Sequence, residues 1–150
     1  MPQGEVDAII DASALYPLLR RLGVKAAEVL VRFAVLDLTK YEVGNVVWKE
    51  YGAGLLKNWE KAMEGWSMIV GSMQKLSIKE EELKEVEGIA IERDVTFYDA
   101  SYAFIAERKN LKLITEDKDL LNKCRNAITL ENFLKKDSSN QLPQQRRFPM

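Results

Sequence analysis

The chain alternates, from one end to the other, between short apolar runs and stretches with helical hydrophobic spacing, and few folds tolerate that order. Residues 6–10 (VDAII), 35–38, 111–114 and 127–130 are the apolar runs, short enough for buried strands. Leu15, Leu18, Leu19 and Leu22 share one face of a helix over 14–22, which Gly23 ends and in which Pro17 is tolerable only within the first turn. A second helical pattern runs through Ala26, Val29, Leu30 and Phe33. Thr39-Lys-Tyr-Glu42 fits a capping box that opens a helix through Val43, Val46, Val47 and Tyr51 to Gly52 and Gly54. The next stretch, 58–74, carries a broad stripe of Trp59, Ala62, Met63, Trp66, Ile69, Val70 and Met73. Ser77 to Glu80 is a second capping box, ahead of a helix through Leu83, Val86, Ala90 and Ile91 to about Arg93. Thr96 starts a helix that stops at Asn110, and 118–123 and 131–136 are shorter helical segments. Strands alternating with helices imply right-handed crossovers and a parallel sheet of about four to five strands covered on both faces, an α/β fold of the three-layer α/β/α sandwich type. The 150 residues suit one core, assigned to 1–137, and residues 138–150 form a polar tail with no core pattern.

Composition removes whole classes of chemistry. Histidine is absent, which excludes a Ser-His-Asp triad, a Cys-His dyad, an HExxH zinc site and an imidazole base within the chain. Cys124 is the only cysteine, so an intrachain disulfide, a CxxC pair and a four-cysteine zinc site are excluded too, and a reducing cytoplasm is the expected setting. No window approaches the ~18 uninterrupted apolar residues of a membrane span. Lys and Arg total 22 against 23 Asp and Glu, so no global basic field exists and any nucleic-acid site must be local. Carboxylates, lysines, tyrosines and metals remain for chemistry.

Open parallel sheets bind ligands beyond the carboxyl ends of their strands. Asp11 ends the first apolar run, Asp117 follows LKLIT, and Glu42 and Asp99 fall in first turns of helices that begin on the same side. Taken singly, each acid is well explained as a cap or as a complement to a helix dipole. Taken together, four carboxylates on one rim repel unless a cation or raised pKa values intervene, and Mg²⁺ or Mn²⁺ suits such oxygen donors. Ser13 and Thr115 are cap residues able to hydrogen-bond within that rim, and Asn45 lies one helical turn after Glu42 on its face.

The spans IIDASAL with Asp11, LTKYEVGNVVWK with Glu42 and Asn45, TFYDASYAFIAERKNLKLIT with Asp99, and TEDKDL with Asp117 and Asp119 resemble a PIN domain, and more narrowly the VapC-type toxins of prokaryotic toxin–antitoxin pairs. The likeness extends in order over about residues 5 to 135, with YDASY and TEDKDL its most specific blocks. It implies an α/β/α sandwich in which the acids matching Asp11, Glu42, Asp99 and Asp117 bind Mg²⁺ or Mn²⁺ for endoribonuclease cleavage, with Asp119 as an auxiliary acid. It also implies a homodimer and a small VapB-type antitoxin that reaches the acidic cleft through a cationic side chain. Hydrolysis by a metal-activated water would leave 5′-phosphate and 3′-hydroxyl ends.

Besides a catalytically silent protein-binding module, whose sign would be the loss of one acid, two other functions compete. One is a housekeeping PIN-type RNA-processing nuclease with no antitoxin. The other, a metal-binding receiver-like signalling module, wants paired acids early in the chain and a strand-end lysine late in it, and neither is evident. Phosphate contacts need cations, for which Arg20, Arg21, Lys40, Lys49 and Lys118 are candidates, with Arg146 and Arg147 on the tail. The Trp- and Met-rich stripe of Trp59, Met63, Trp66 and Met73 fits either core or a protein interface.

Overall fold

In the computed structural model, which describes residues 6–136 apart from the side chains of Arg20 and Val24, five parallel strands form one sheet. They are β1 (Ala8–Ile10), β2 (Phe33–Leu36), β3 (Gln74–Leu76), β4 (Lys112–Ile114) and β5 (Ala127–Ile128), in the order β3-β2-β1-β4-β5. The helices are α1 (Ala12–Leu22), α2 (Ala26–Leu30), α3 (Thr39–Gly52), α4 (Trp59–Ser72), α5 (Leu83–Arg93), α6 (Phe97–Arg108) and α7 (Lys118–Lys123), followed by α8 over 130–136.

Alternation along the buried strands sorts the core into two halves, since successive side chains face opposite sides of a sheet. Ala8, Ile10, Phe33 and Val35 pack on α1 to α4 and α8, while Ile9, Leu36 and Leu113 pack on α5, α6 and α7. The chain winds from β1 through β2 to β3 with its helices on one face, then crosses to β4 and β5 with its helices on the other. Right-handed crossovers demand that change of face when the direction of winding reverses. The reversal leaves a topological switch point between β1 and β4, where Ile10 is in register with Ile114.

The α/β/α sandwich is as expected from the sequence, but several boundaries move. α1 starts at Ala12, so Pro17 lies in its second turn rather than its first and deprives the Ser13 carbonyl of a helical donor. Gly23 does end it, with φ at +54°, a value that glycine adopts without a steric penalty. The expected helix over 25–33 is cut to α2, and Phe33 enters β2, which begins two residues earlier than predicted and ends at Leu36. β3 was not anticipated; it pairs Ala34 with Gln74 and Leu36 with Leu76 at the sheet edge. Because β3 occupies 74–76, Ser77 does not cap a helix: a 3-10 turn over Glu80–Glu82 intervenes, with the Lys79 N–H donating to the Glu82 carboxylate at 2.9 Å, and α5 follows.

The Trp and Met stripe divides. Trp66 and Met73 are core, Trp66 stacking on Tyr16 with ring centroids 5.9 Å apart, whereas Trp59 is 46% exposed. Trp59 and Met63 line an apolar groove of about 330 Å³ with Gly44, Val47, Trp48 and Tyr51. Among the described residues no helix is long and apolar enough to cross a membrane. The expected tail, 138–150, with Arg146 and Arg147, lies outside the described residues.

Candidate metal centre

Asp11 leaves β1 at the switch point and caps α1. Its Oδ1 accepts the Ala14 N–H at 3.2 Å and the Ser13 hydroxyl at 2.6 Å, and its Oδ2 accepts the Thr115 hydroxyl at 2.5 Å. The register of β1 with β4 makes that last contact possible, because Thr115 follows Ile114 directly. Ser13 and Thr115 also accept backbone donors, from Glu116 at 2.9 Å and Asp117 at 3.0 Å respectively, so the loop after β4 is tied to the start of α1. Asp11 is only 5% exposed, and burial pushes its carboxyl up to about 6, against the pull of those hydrogen bonds and with a further push from the charge of Asp117. Three donors use three of the roughly four lone-pair positions on a carboxylate, which leaves Asp11 capacity for a cation.

Asp117 caps α7, its Oδ1 accepting the Leu120 N–H at 3.0 Å, and Thr96 caps α6 by accepting the Asp99 N–H at 3.0 Å. Capping and site formation are therefore one arrangement, since the same helix starts that need oxygen acceptors deliver Asp99 and Asp117 to one place. Asp99, Asp117 and Asp119 each offer a carboxylate oxygen within 4.8 Å of the others. Burial raises the Asp99 carboxyl above its ordinary range, with Asp117 and Asp119 adding to the shift.

Glu42 comes from the far layer. The capping box expected at Thr39 does not form: Thr39 is the first residue of α3, and its buried hydroxyl accepts the Leu36 N–H at 3.2 Å and meets the Tyr102 hydroxyl at 2.8 Å. Glu42 is consequently free of capping, and its Oε1 accepts the Tyr102 hydroxyl at 2.5 Å. Burial raises the Glu42 carboxyl, the Tyr102 bond opposes this, and the charges of Asp11 and Asp99 raise it further. Mutual repulsion thus links Glu42 to Asp11 and Asp99, and Asp117 to Asp11 and Asp99.

Asp99, Asp117 and Asp119 form one cluster, and Asp11 and Glu42 stand close enough for charge to act between them and its members. Asn45 is exposed one turn along α3. The cations are less concentrated. Lys118, exposed, directly follows Asp117, and Lys40 lies in the first turn of α3, paired with Asp37 at 2.9 Å and 5.2 Å from the Tyr41 ring centroid. Lys49 lies roughly 13 Å farther along the axis of α3 than Lys40, and Arg21 is in the last turn of α1, at the end opposite Asp11. The Arg20 side chain is outside the described part. Tyr102 and Thr39 were missed as site residues, because each reads as an ordinary helix position until α3 and α6 are packed together.

A donor set made entirely of carboxylate oxygens, crowded enough for burial and like charge to raise three of its members, fits a hard divalent cation, which would relieve the repulsion. Thiolate or imidazole donors, which would favour zinc or copper, are absent from the cluster.

The PIN-domain profile matches residues 8–126. The chain is 41% identical over 131 residues to Exonuclease VapC9 of Pyrobaculum aerophilum, covering 86% of this chain and 94% of the relative. It is 32% identical over 129 residues to Ribonuclease VapC3 of the same organism, covering 81% and 97%. Among solved structures, PAE2754 from Pyrobaculum aerophilum superposes with a TM-score of 0.80 at 38% identity, covering 91% of this chain and 99% of that one. A toxin–antitoxin complex from Klebsiella pneumoniae shares the fold, with a TM-score of 0.54 at 18% identity over 81% of this chain and 96% of that one. With its acids gathered at the switch point of the sheet and relatives matched over nearly their full length, the chain belongs to the PIN-domain family, among its VapC-type nucleases.

Proposed function

We propose that this protein is a metal-dependent endoribonuclease acting on single-stranded RNA, the toxin of a toxin–antitoxin pair, in which Asp11, Glu42, Asp99 and Asp117 hold Mg²⁺ or Mn²⁺ and Asp119 assists. The observation that carries this reading is the convergence of Asp99, Asp117 and Asp119 within 4.8 Å beside Asp11 and Glu42. A divalent ion bound there supplies an activated water and neutralises charge that develops on the phosphodiester. The chain's own residues set the frame: Ser13 and Thr115 fix the orientation of Asp11, and the caps on α6 and α7 fix Asp99 and Asp117. Lys118 and Lys40, at the rim, contact backbone phosphates, while Arg21 and Lys49 lie too far along their helices to share that task.

The names of the two relatives differ, one an exonuclease and the other a ribonuclease. Internal cleavage is supported by exposed Lys40 and Lys118, which share the helix starts that carry Glu42 and Asp117 and can hold the RNA backbone beside the acids. Partners follow from the same reading. The apolar groove between α3 and α4, with Trp48 70% and Tyr51 51% exposed, supports protein association, with a VapB-type antitoxin and a second copy of the chain as the partners. A cytoplasmic setting accords with a free, buried Cys124.

The test is cleavage of a labelled single-stranded RNA with Mg²⁺ or Mn²⁺. The reading requires that EDTA and Asp99→Asn each abolish cleavage; product formation that survives both would refute it.

A further inference from the structure

Glu42 is reached by a chain of hydrogen bonds whose direction follows from a count of protons. Tyr102, 1% exposed, donates its one hydroxyl proton to the Glu42 carboxylate. At the Thr39–Tyr102 contact the proton must therefore come from Thr39, whose oxygen accepts the Leu36 N–H. The order is Leu36 N–H to Thr39 hydroxyl to Tyr102 hydroxyl to Glu42, every donor is used, and the far end must be an acceptor, which Glu42 Oε1 supplies.

The placement is reciprocal. Thr39 and Glu42 are one turn apart on α3, and Asp99 and Tyr102 are one turn apart on α6. α3 packs on one face of the sheet and α6 on the other, so the relay ties the two outer layers together across the carboxyl edge of the strands. With Thr39 donating to it, the buried phenol needs an acceptor for its own proton, and the acceptor it meets is an acid of the site. With Oε1 taken by Tyr102, Oε2 has no donor among the described residues.

We propose that Thr39 and Tyr102 are positioning residues that lock Glu42 at a fixed distance from Asp99 with one oxygen free for the divalent ion, so that the relay, together with the acids themselves, sets the metal affinity of the site. This rests on the metal-centre reading above. Groups that orient metal ligands typically change affinity by ~10- to 100-fold when removed.

Mn²⁺ binding to the full chain, measured by calorimetry without RNA, tests it. Tyr102→Phe and Thr39→Val should each weaken Mn²⁺ binding by about tenfold or more, and Thr39→Ser, which keeps the hydroxyl, should bind as the parent does. In a Glu42→Gln background Tyr102→Phe should add little further loss, because its effect passes through Glu42. Melting in EDTA reads any purely structural effect separately, and if one variant fails to fold the other still decides. Parent-like Mn²⁺ affinity in a folded Tyr102→Phe or Thr39→Val protein, or a full additional loss on top of Glu42→Gln, would overturn the relay. RNA cleavage by the parent, assayed in parallel, reports on the ribonuclease reading alone.

Discussion

Replacing Asp11 with asparagine should make the metal-free protein more stable at neutral pH, although Asp11 caps α1. Burial pushes the Asp11 carboxyl up to about 6, whereas in the unfolded chain it titrates near 3.9. Between those values the folded state binds more protons than the unfolded state, so the stability of the metal-free protein falls as pH rises through this window and levels off above about 6. The ionised form at neutral pH is destabilised by roughly 3 kcal/mol. Asparagine removes the charge and retains an oxygen for the Ala14 N–H and the Ser13 hydroxyl, but the Thr115 hydroxyl must turn to accept from the new amide, which reduces the gain to about 1–2 kcal/mol. At about 2–4 °C per kcal/mol for a chain of this size, melting in EDTA should rise by ~2–8 °C. Added Mn²⁺ should reverse the order, because ligand binding stabilises the parent by about 2.7 kcal/mol at one hundred times Kd while the variant lacks one acid. A pH series of melts in EDTA should show a slope from acid towards neutral that is shallower in the variant, with Glu42 and Asp99, also raised, supplying the residue. A variant that melts below the parent in EDTA at neutral pH, or a parent with no such slope, would refute the reasoning.

Other perturbations separate the site from its scaffold. Thr96→Ala removes the cap on the Asp99 N–H and should cost about 1 kcal/mol in a urea titration while weakening Mn²⁺ binding. Trp66→Ala empties a core position stacked on Tyr16 and should cost ~3–5 kcal/mol, whereas Trp59→Ala, at a half-exposed groove position, should alter association measured by sedimentation with little change in melting. Lys118→Glu should raise the KM for RNA and steepen no metal titration, and Lys49→Glu, distant on α3, should leave KM unchanged. Cys124, buried and with its thiol pushed up to about 11, should resist a thiol reagent in the folded protein and react rapidly in urea.

What was legible in the sequence was what local chemistry decides. Asp11 after VDAII, Thr96 ahead of Asp99, Gly23 after a leucine face and Asn110 at φ +55° each carry a signal within a few residues, and each stands where the pattern puts it. The pairing of long-separated segments was not legible. β3 is three residues of Gln, Lys and Leu with no β-branched side chain, and only the β2 edge makes it a strand; its exposed Lys75 is the kind of residue that blunts an open edge. Thr39 has the sequence of a capping residue, yet its hydroxyl is drawn inward by Tyr102, 63 positions away, and the same contact turns a tyrosine that reads as helix filler into a partner of Glu42. The stripe of α4 follows one helical period, but period alone does not say that Trp66 faces the sheet while Trp59 lies at the rim of a groove.

The central claim, that these carboxylates cut RNA internally with a divalent ion, is tested most directly on a covalently closed circular single-stranded RNA, which offers no end to an exonuclease. With Mn²⁺ the protein should open the circle to linear products bearing 5′-phosphates, and Asp99→Asn, purified identically, should leave it intact. Intact circles under conditions in which a linear RNA of the same sequence is degraded, or circles opened equally by Asp99→Asn, would contradict the account.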